Sequence, residues 1–164
     1  MTTRRSLLRT GMTALLAGAG LGRFGSAIAA GAGRFEITRT DAEWRKLLRG
    51  DVYEVMRRSG TERPFTSDLL HEVRTGTFTC AGCERDLFAS HTKFESGTGW
   101  PSFWQPLPGS VLTQRDTSFG MVRDAVECSR CGGHLGHVFD DGPKPTGLRY
   151  CMNGIALHFR PASA

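Results

Sequence analysis

Four of the five cysteines in this chain are arranged as two C-x-x-C pairs, and this spacing constrains the possible folds more than any other feature. Cys80 and Cys83 form one pair, and Cys128 and Cys131 form the other. Two such pairs brought together place four sulfurs at about 2.3 Å from one ion, which is the geometry of a structural zinc site. The spacing therefore predicts a domain in which zinc joins two distant segments of the chain.

Two other interpretations fit the same cysteines. Each pair could close a local disulfide, or one pair could be a redox-active motif of the kind found in thioredoxin-like proteins. A bridge within C-x-x-C closes a very small loop and stabilises a fold little, whereas a shared metal cross-links segments far apart in sequence. Because the pattern occurs twice, it favours the shared zinc site.

Cys151 is the fifth cysteine, and its position outside the pairs makes it a candidate nucleophile. Residues two apart in a strand share a face, so Arg149, Cys151 and Asn153 are expected to face one cleft, where Arg149 would favour the thiolate. His134 and His137 precede this run and are candidates for acid catalysis near neutral pH. Each residue alone would also fit an inert core or loop position. Their grouping predicts a thiol active site.

Residues 1–29 have the composition of an export signal. The pair Arg4-Arg5 precedes a weakly apolar run, and Ala27-Ile28-Ala29 provides small residues for cleavage. This order predicts a twin-arginine signal peptide that is cut at that point, which leaves residues 30–164 as a single exported, periplasmic domain. A membrane anchor is disfavoured, because the run is interrupted by Arg23 and is too short to cross about 30 Å of hydrocarbon.

The charge of the chain gives no support for a nucleic-acid partner. The formal net charge is +5, but four arginines lie in the predicted leader without any acidic residue, so residues 30–164 carry a formal charge of +1. A domain this close to neutral is not expected to present the basic surface of a nucleic-acid-binding module. We therefore disfavour a zinc-ribbon that binds nucleic acid.

Two short helices are predicted before a β-rich region. Thr40 and Glu43 have the order of a capping box. The apolar residues that follow at helical spacing are Trp44, Leu47 and Leu48. Residues 51–58 predict a second helix, whose inward residues are Val52, Val55 and Met56.

From Gly76 onward, short apolar runs alternate with Gly, Pro, Asp and Ser, which is typical of an antiparallel β domain with tight turns. The predicted fold is therefore mainly β: a compact domain of antiparallel sheets with short N-terminal helices and a structural zinc site. The apolar runs are Thr77–Thr79, Leu87–Phe88, Val111–Leu112, Met121–Val122 and Ile155–Phe159.

Three longer blocks resemble the signature sequences of B-type peptide-methionine (R)-S-oxide reductases, the methionine-R-sulfoxide reductase B family. The resemblance extends from about Phe35 to Pro161, and three blocks in sequence are far more specific than a single motif. The two cysteine pairs also occur in the family's order. The blocks are Gly97–Phe103, His134–Pro143 and Thr146–Asn153, preceded by Gly60–Phe65.

The resemblance implies a reaction and a role for each candidate residue. Cys151 would attack the sulfoxide sulfur, releasing methionine and leaving a sulfenic acid. His137, supported by His134 and Asn153, would hold or protonate the sulfoxide oxygen. Trp100 would place its ring against the S-methyl group.

The resemblance also implies the substrate and the partners. Arg149 is expected at the substrate, beside Trp100. The family's choice is the R epimer, mainly in oxidised proteins, and a thioredoxin-like protein or a small thiol would supply the electrons. We expect a monomer with structural zinc, without a stable membrane anchor or a nucleic-acid partner.

Two residues depart from the family pattern. Thr98 stands where many relatives have a resolving cysteine, and no cysteine remains outside the pairs except Cys151, so an outside thiol is expected to reduce the enzyme. Gly154 stands where Ser is common, which removes a hydroxyl beside the active strand. The alternative function is a non-catalytic zinc-stabilised ligand-binding domain, because fold alone does not prove activity. The nucleophile and both histidines together favour the enzyme.

Overall fold

The computed structural model of this chain describes residues 34–117 and 120–163. The predicted signal peptide, residues 1–29, lies outside the described residues. Within the two described ranges, no helix has the length and apolar character needed to cross a membrane.

The first helix, α1, spans Asp41–Leu47 and begins with the predicted capping box. The hydroxyl of Thr40 accepts from the backbone N–H of Glu43, and the Glu43 carboxylate accepts from the backbone N–H of Thr40. Of the three apolar residues at helical spacing, Trp44 and Leu48 are buried, whereas Leu47 is 54% exposed. The helix ends at Leu47, and Leu48, with an extended backbone, packs in the core.

The second helix, α2, spans Gly50–Arg58 and closely matches the predicted range. Val55 and Met56 are buried and Val52 packs partly against the core, as the spacing predicts. Tyr53 is also buried, although its sequence position gave no such indication. Its hydroxyl donates to a carboxylate oxygen of Asp41, so the ring joins the two helices.

The remainder of the domain consists of two antiparallel sheets, which confirms the predicted mainly β fold. The strands are β1 Gly76–Cys80, β2 Asp86–Ala89, β3 Lys93–Phe94, β4 Ser102–Phe103, β5 Val111–Asp116, β6 Arg123–Cys128, β7 His134–Phe139, β8 Arg149–Met152 and β9 Leu157–Pro161. One sheet has the strand order β2-β1-β9, and the other has the order β3-β4-β8-β7-β6-β5. Among the described residues, the 3₁₀ turns Ser90–Thr92 and Gly154–Ala156 connect strands, and a third, Asp68–His71, lies between α2 and β1.

Two predicted strand positions are wrong. Met121 and Val122 are exposed at 49% and 63% and precede β6, which starts only at Arg123. They are apolar residues in the connection between β5 and β6, so their hydrophobicity does not reflect a strand. Ile155 and Ala156 belong to a 3₁₀ turn, and β9 starts at Leu157.

Aromatic side chains hold the two sheets together. Phe88 of β2 stacks on Phe103 of β4, with ring centroids 4.4 Å apart. Phe78 of β1 meets the edge of the Phe103 ring at 4.9 Å. All three side chains are fully buried. Such pairs stabilise a core beyond the area they bury, and they fix β4 and its preceding loop against the smaller sheet.

The centre of the larger sheet brings the candidate nucleophile next to a candidate acid. Cys151 of β8 pairs with Ser102 of β4 on one side and with His137 of β7 on the other. The strands β7 and β8 approach closely at Gly136, where a Cβ atom would overlap the carbonyl oxygen of Cys151. Glycine is therefore required at this position for the two strands to pair.

Candidate active site and metal centre

The four paired cysteines form one cluster, with their sulfur atoms all within 4.8 Å of one another. The sulfurs of Cys80 and Cys131 are 3.7 Å apart, and those of Cys83 and Cys128 are 3.5 Å apart. A disulfide requires about 2.05 Å, whereas four sulfurs at about 2.3 Å from one ion lie about 3.8 Å from each other. The cluster therefore fits a single tetrahedral metal ion.

The two cysteine pairs lie in equivalent turns. In each turn the residue four positions after the first cysteine has a left-handed backbone, Glu84 in one (φ 58°) and Gly132 in the other (φ 67°). Its N–H donates to the carbonyl of that first cysteine. Gly82 has a different role, which is to leave room for α2. A Cβ atom at this position would lie 3.2 Å from the terminal methyl of Met56 on that helix. The helices thus pack directly on the cluster.

Cys151 lines a cleft of about 110 Å³. The cleft has aromatic side chains from Trp100 and Phe139 and polar groups from His137 and Asn153. Sites for whole small-molecule ligands enclose about 300–1,000 Å³, so this cleft has the size for one side chain. Its other lining residues are Thr61, Arg123 and Gly136.

The thiol of Cys151 is mostly shielded from solvent. Burial raises its pKa above the ordinary value for a cysteine, and the hydroxyl of Thr98 and the charge of Arg149 oppose this shift. The Cys151 sulfur is 3.8 Å from the Thr98 hydroxyl oxygen. Because only the thiolate is a strong nucleophile, groups that stabilise negative charge on this sulfur matter for its reactivity.

His137 is held by an ion pair from the β5–β6 hairpin. Its Nε2 is 2.8 Å from Oδ2 of Asp116, and the same oxygen accepts from the Arg123 guanidinium at 2.9 Å. Asp116 and Arg123 face each other across the hairpin. An ionised carboxylate only accepts hydrogen bonds, so Nε2 carries a proton and Nδ1 is the ring nitrogen left for other partners.

His134 lies behind His137, with the two ring centroids 5.2 Å apart. The side chain is buried, and burial lowers the pKa of His134 to about 4. Its Nε2 has no hydrogen-bond partner within the described part of the chain. The ring is therefore neutral near pH 7 and adds no charge to the site.

Both polar atoms of the Asn153 side-chain amide form hydrogen bonds with backbone groups. Its oxygen accepts from the N–H of Glu62 at 3.0 Å, and its nitrogen donates to the carbonyl of Leu135 at 3.0 Å. Trp100 is fixed to the same neighbour, because its indole N–H donates to the Glu62 carbonyl at 3.2 Å. These bonds orient two cleft residues around one backbone segment.

Glu62 also holds the turn that follows the nucleophile. Its buried carboxylate accepts from the backbone N–H groups of Gly154 and Ile155. Burial raises the pKa of Glu62, and the two N–H donors oppose this shift. One residue therefore connects Trp100, Asn153 and the chain directly after β8.

Arg149 helps to lower the pKa of Cys151 through its charge and a side-chain hydrogen bond, and it also has a second partner. Its guanidinium binds both carboxylate oxygens of Asp141, at 2.8 and 2.7 Å, and lies 4.4 Å from the centre of the Phe139 ring. Among the described residues that line the cleft, Arg149 does not occur. It contacts the cleft wall from behind through Phe139.

Comparison with known proteins connects this geometry to a family. The SelR domain matches residues 48–161. Over 127 residues, which are 77% of this chain, the sequence is 50% identical to the peptide methionine sulfoxide reductase MsrB of Agrobacterium fabrum and 53% identical to that of Pseudomonas putida, covering 94% and 96% of those proteins. It is 51% identical over 125 residues to the MsrB of Methanosarcina barkeri, covering 76% of this chain and 88% of that protein.

The chain belongs to the MsrB family of peptide methionine sulfoxide reductases. Members of this family are oxidoreductases, and the match to residues 48–161 includes the four clustered cysteines and every residue of the cleft. The predicted family membership is confirmed.

The structure adds several residues to the site whose roles the sequence motifs do not indicate. Thr61, Glu62, Gly136 and Phe139 lie within blocks that resemble the MsrB family, so the blocks signal them without giving a function. Asp116 and Arg123 lie outside those blocks, and only the register of the β5–β6 hairpin brings them to His137.

We predict that His134 makes the fold sensitive to acid. The folded pKa of about 4 is below the value of about 6.5 for an unfolded chain. The contribution of neutral His134 to the free energy of unfolding is therefore complete above pH 6.5. It is lost as the pH falls toward 4, because only the unfolded chain takes up the proton. Between pH 7.5 and 5.5 this loss is about 1 kcal/mol.

Urea denaturation at both pH values tests this for the wild type and for His134→Gln, whose side chain does not titrate. The variant should lose less stability between the two values, while contributions from the cysteine cluster are common to both proteins. Equal losses in the two proteins would contradict the assignment.

Proposed function

We propose that this protein reduces methionine (R)-S-oxide in oxidised proteins to methionine, with Cys151 as the nucleophile. The observation that carries the proposal is the Cys151 sulfur in a cleft of side-chain size, shared with His137 and Trp100. The names of the relatives support it, since each is a peptide methionine sulfoxide reductase. A cleft this small agrees with a substrate that inserts one side chain of a polypeptide.

The first step moves one oxygen atom from the substrate to Cys151. The sulfur of Cys151 attacks the sulfoxide sulfur, and the S–O bond of the substrate breaks. Methionine sulfur is reduced by two electrons, and the cysteine sulfur is oxidised by two. The products are methionine and a Cys151 sulfenic acid: its O–H carries the proton that His137 donates, and the proton given up by the thiol replaces it, so no net proton is consumed.

His137 acts as the acid for the sulfoxide oxygen. Its Nε2–H is directed to Asp116, so donation to the substrate uses Nδ1, which carries a proton only when the ring is charged. The Asp116 carboxylate oxygen lies 2.8 Å from Nε2 and fixes the orientation of the ring. Neutral His134 and the fixed amide of Asn153 support His137 by shaping the site, not by adding charge.

The walls of the cleft select one epimer. Trp100 offers an apolar ring to the S-methyl group, and its indole bond to Glu62 fixes the ring. With oxygen at His137, methyl at Trp100 and the attacking sulfur at Cys151, three of the directions around a chiral sulfur are assigned. Only one epimer then presents its sulfur to the thiol, and the resemblance to the family implies that it is the R epimer.

An outside thiol completes the cycle. The thiol attacks the sulfenic sulfur, a mixed disulfide forms and the oxygen leaves as water; a second thiol then releases Cys151. Thr98 faces the Cys151 sulfur where a resolving cysteine would be needed, and the other four cysteines belong to the cluster. The electron donor is a thioredoxin-like protein or a small thiol.

Zinc is the metal we propose for the four-cysteine cluster. Four thiolates whose sulfur atoms all lie within 4.8 Å of one another, with two separations of 3.7 and 3.5 Å, suit zinc, and four protein ligands leave no open position, which is typical of a structural site. The ion would cross-link the end of β1 to the end of β6 and so join the two sheets. Its contribution is stability, and the reaction itself uses Cys151 and the cleft.

We also propose that the protein acts outside the cytoplasm as a monomer, repairing exported proteins. The twin-arginine pattern and cleavage motif in residues 1–29 support export. A non-catalytic zinc-stabilised ligand-binding domain is disfavoured, because a binding site has no need for a shielded thiol beside a histidine and carboxylate pair.

Replacement of Cys151 by Ser tests the function directly. Wild-type protein should reduce the R epimer of a methionine sulfoxide peptide with dithiothreitol and leave the S epimer unchanged, because only one arrangement fits the three contacts. Cys151→Ser should reduce neither, since a serine hydroxyl is a far weaker nucleophile at neutral pH. Activity of Cys151→Ser close to that of the wild type, or equal reduction of both epimers by the wild type, would contradict the proposal.

Purified protein should contain about one zinc ion per chain, as a four-thiolate site requires. Cys80→Ser or Cys128→Ser should unfold the domain, because structural zinc contributes about 10–16 kcal/mol, comparable to a typical total stability of about 5–15 kcal/mol. Cys151→Ser is the matched control and should retain zinc and fold. Metal analysis without zinc, together with two disulfides by mass spectrometry, would favour the oxidised interpretation instead.

A further inference from the structure

The sulfur of Cys151 lies at one end of a chain of hydroxyl groups. The Thr98 hydroxyl is 3.8 Å from this sulfur and 2.8 Å from the hydroxyl of Ser96. Ser96 is in turn 2.7 Å from the hydroxyl of Ser102. Ser102 donates to the carbonyl oxygen of Trp100 at 3.2 Å. The nucleophile is thus connected to a backbone carbonyl through three side chains.

That carbonyl sets the direction of every hydrogen bond in the chain while Cys151 is a thiol. A hydroxyl has one proton to donate, and a carbonyl only accepts. Ser102 therefore donates to the carbonyl, Ser96 donates to Ser102, and Thr98 donates to Ser96. The oxygen of Thr98 is then an acceptor for the S–H of Cys151.

Loss of the thiol proton reverses the role of Thr98. A charged sulfur can only accept, so Thr98 turns its single proton from Ser96 to the sulfur. Ser96 keeps two hydrogen bonds, since it still donates to Ser102 and accepts from the backbone N–H of Thr98 at 3.5 Å. Hydrogen bonds to charged acceptors are stronger than those to neutral ones, and the exchange therefore favours the thiolate.

Burial raises the pKa of Cys151, and the hydrogen bond to Thr98 is the largest effect that opposes this shift. Arg149 and Ser102 lower the pKa as well, but Arg149 is also bound to both oxygens of Asp141 and shares its charge with that carboxylate. Within the described part of the chain, the other charged or titratable groups around the cleft are His134 and His137 on β7, Asp116 on β5, Arg123 on β6 and Glu62 before the sheets.

We propose that Thr98 is a further catalytic residue, whose hydroxyl donates to the Cys151 sulfur when that sulfur is charged. Ser96 and Ser102 hold the hydroxyl in position for this exchange. The inference rests on the proposed function, in which Cys151 is the nucleophile. It assigns a role to the residue that stands in the place of a resolving cysteine.

Iodoacetamide alkylation of Cys151 across a pH series tests the inference, with the modified peptide quantified by mass spectrometry in folded, metal-loaded protein. Thr98→Val preserves the size of the side chain and removes the hydroxyl, whereas Thr98→Ser retains the hydroxyl. The midpoint is the pH at which the alkylation rate of Cys151 reaches half its maximum. Loss of one hydrogen bond to a charged group should raise this midpoint for Thr98→Val by about one pH unit and slow alkylation near neutral pH about tenfold. Thr98→Ala should behave like Thr98→Val, and Thr98→Ser should keep the wild-type midpoint.

Wild-type midpoints in both Thr98→Val and Thr98→Ala would overturn the inference. So would a shift in Thr98→Ser equal to that of Thr98→Val, because packing and not the hydroxyl would then be responsible. Alkylation needs no turnover, so its result is separate from the sulfoxide assay. A wild-type protein that reduces no sulfoxide would reject the proposed function without changing the measured midpoints.

Discussion

The pairing of β8 with β4 on one side and β7 on the other is the interaction on which the active site depends. It places Cys151 between Ser102 and His137, so residues from three separate parts of the sequence meet at one sulfur. Gly136 allows the close approach of β7 to β8. The stacked Phe88 and Phe103 rings hold β4 against the smaller sheet. A shift of any one strand would separate the thiol from its hydrogen-bonding neighbours.

Burial and a few fixed charges set the chemistry of this site. Shielding from water raises the pKa of the Cys151 thiol and lowers that of His134, so both are neutral at rest. The charges are supplied from the hairpin, where Asp116 binds both His137 and Arg123. The thiol is therefore shielded from water, while His137 is held in place by a carboxylate 2.8 Å from its ring nitrogen.

The features predictable from sequence are those encoded locally. The C-x-x-C spacing predicts the cysteine cluster, and the capping residues at Thr40 and Glu43 predict the start of α1, because both depend on neighbours a few positions apart. Helical spacing alone does not say where a helix ends, so it does not distinguish exposed Leu47 from buried Leu48. The apolar character of Met121 and Val122 likewise does not distinguish a strand from an exposed connection.

The residues that sequence reasoning missed depend on contacts between distant segments. Asp116 reaches His137 only through strand register, and Glu62 meets Trp100 and Asn153 only after the loop before the sheets has folded over β8. The glycine at position 154 also has a tertiary cause, since a Cβ atom there would overlap the hydroxyl of Ser67. A single sequence contains no short-range pattern for such contacts.

In the proposed reaction, Cys151 itself takes the oxygen from methionine (R)-S-oxide and keeps it until an outside thiol arrives. This step can be isolated in a single turnover with excess sulfoxide peptide, dimedone and no reductant. We expect about one methionine formed per chain, with dimedone attached to Cys151 and zinc retained. A Cys151 disulfide to one of the clustered cysteines with release of zinc, or no methionine before reductant is added, would contradict it.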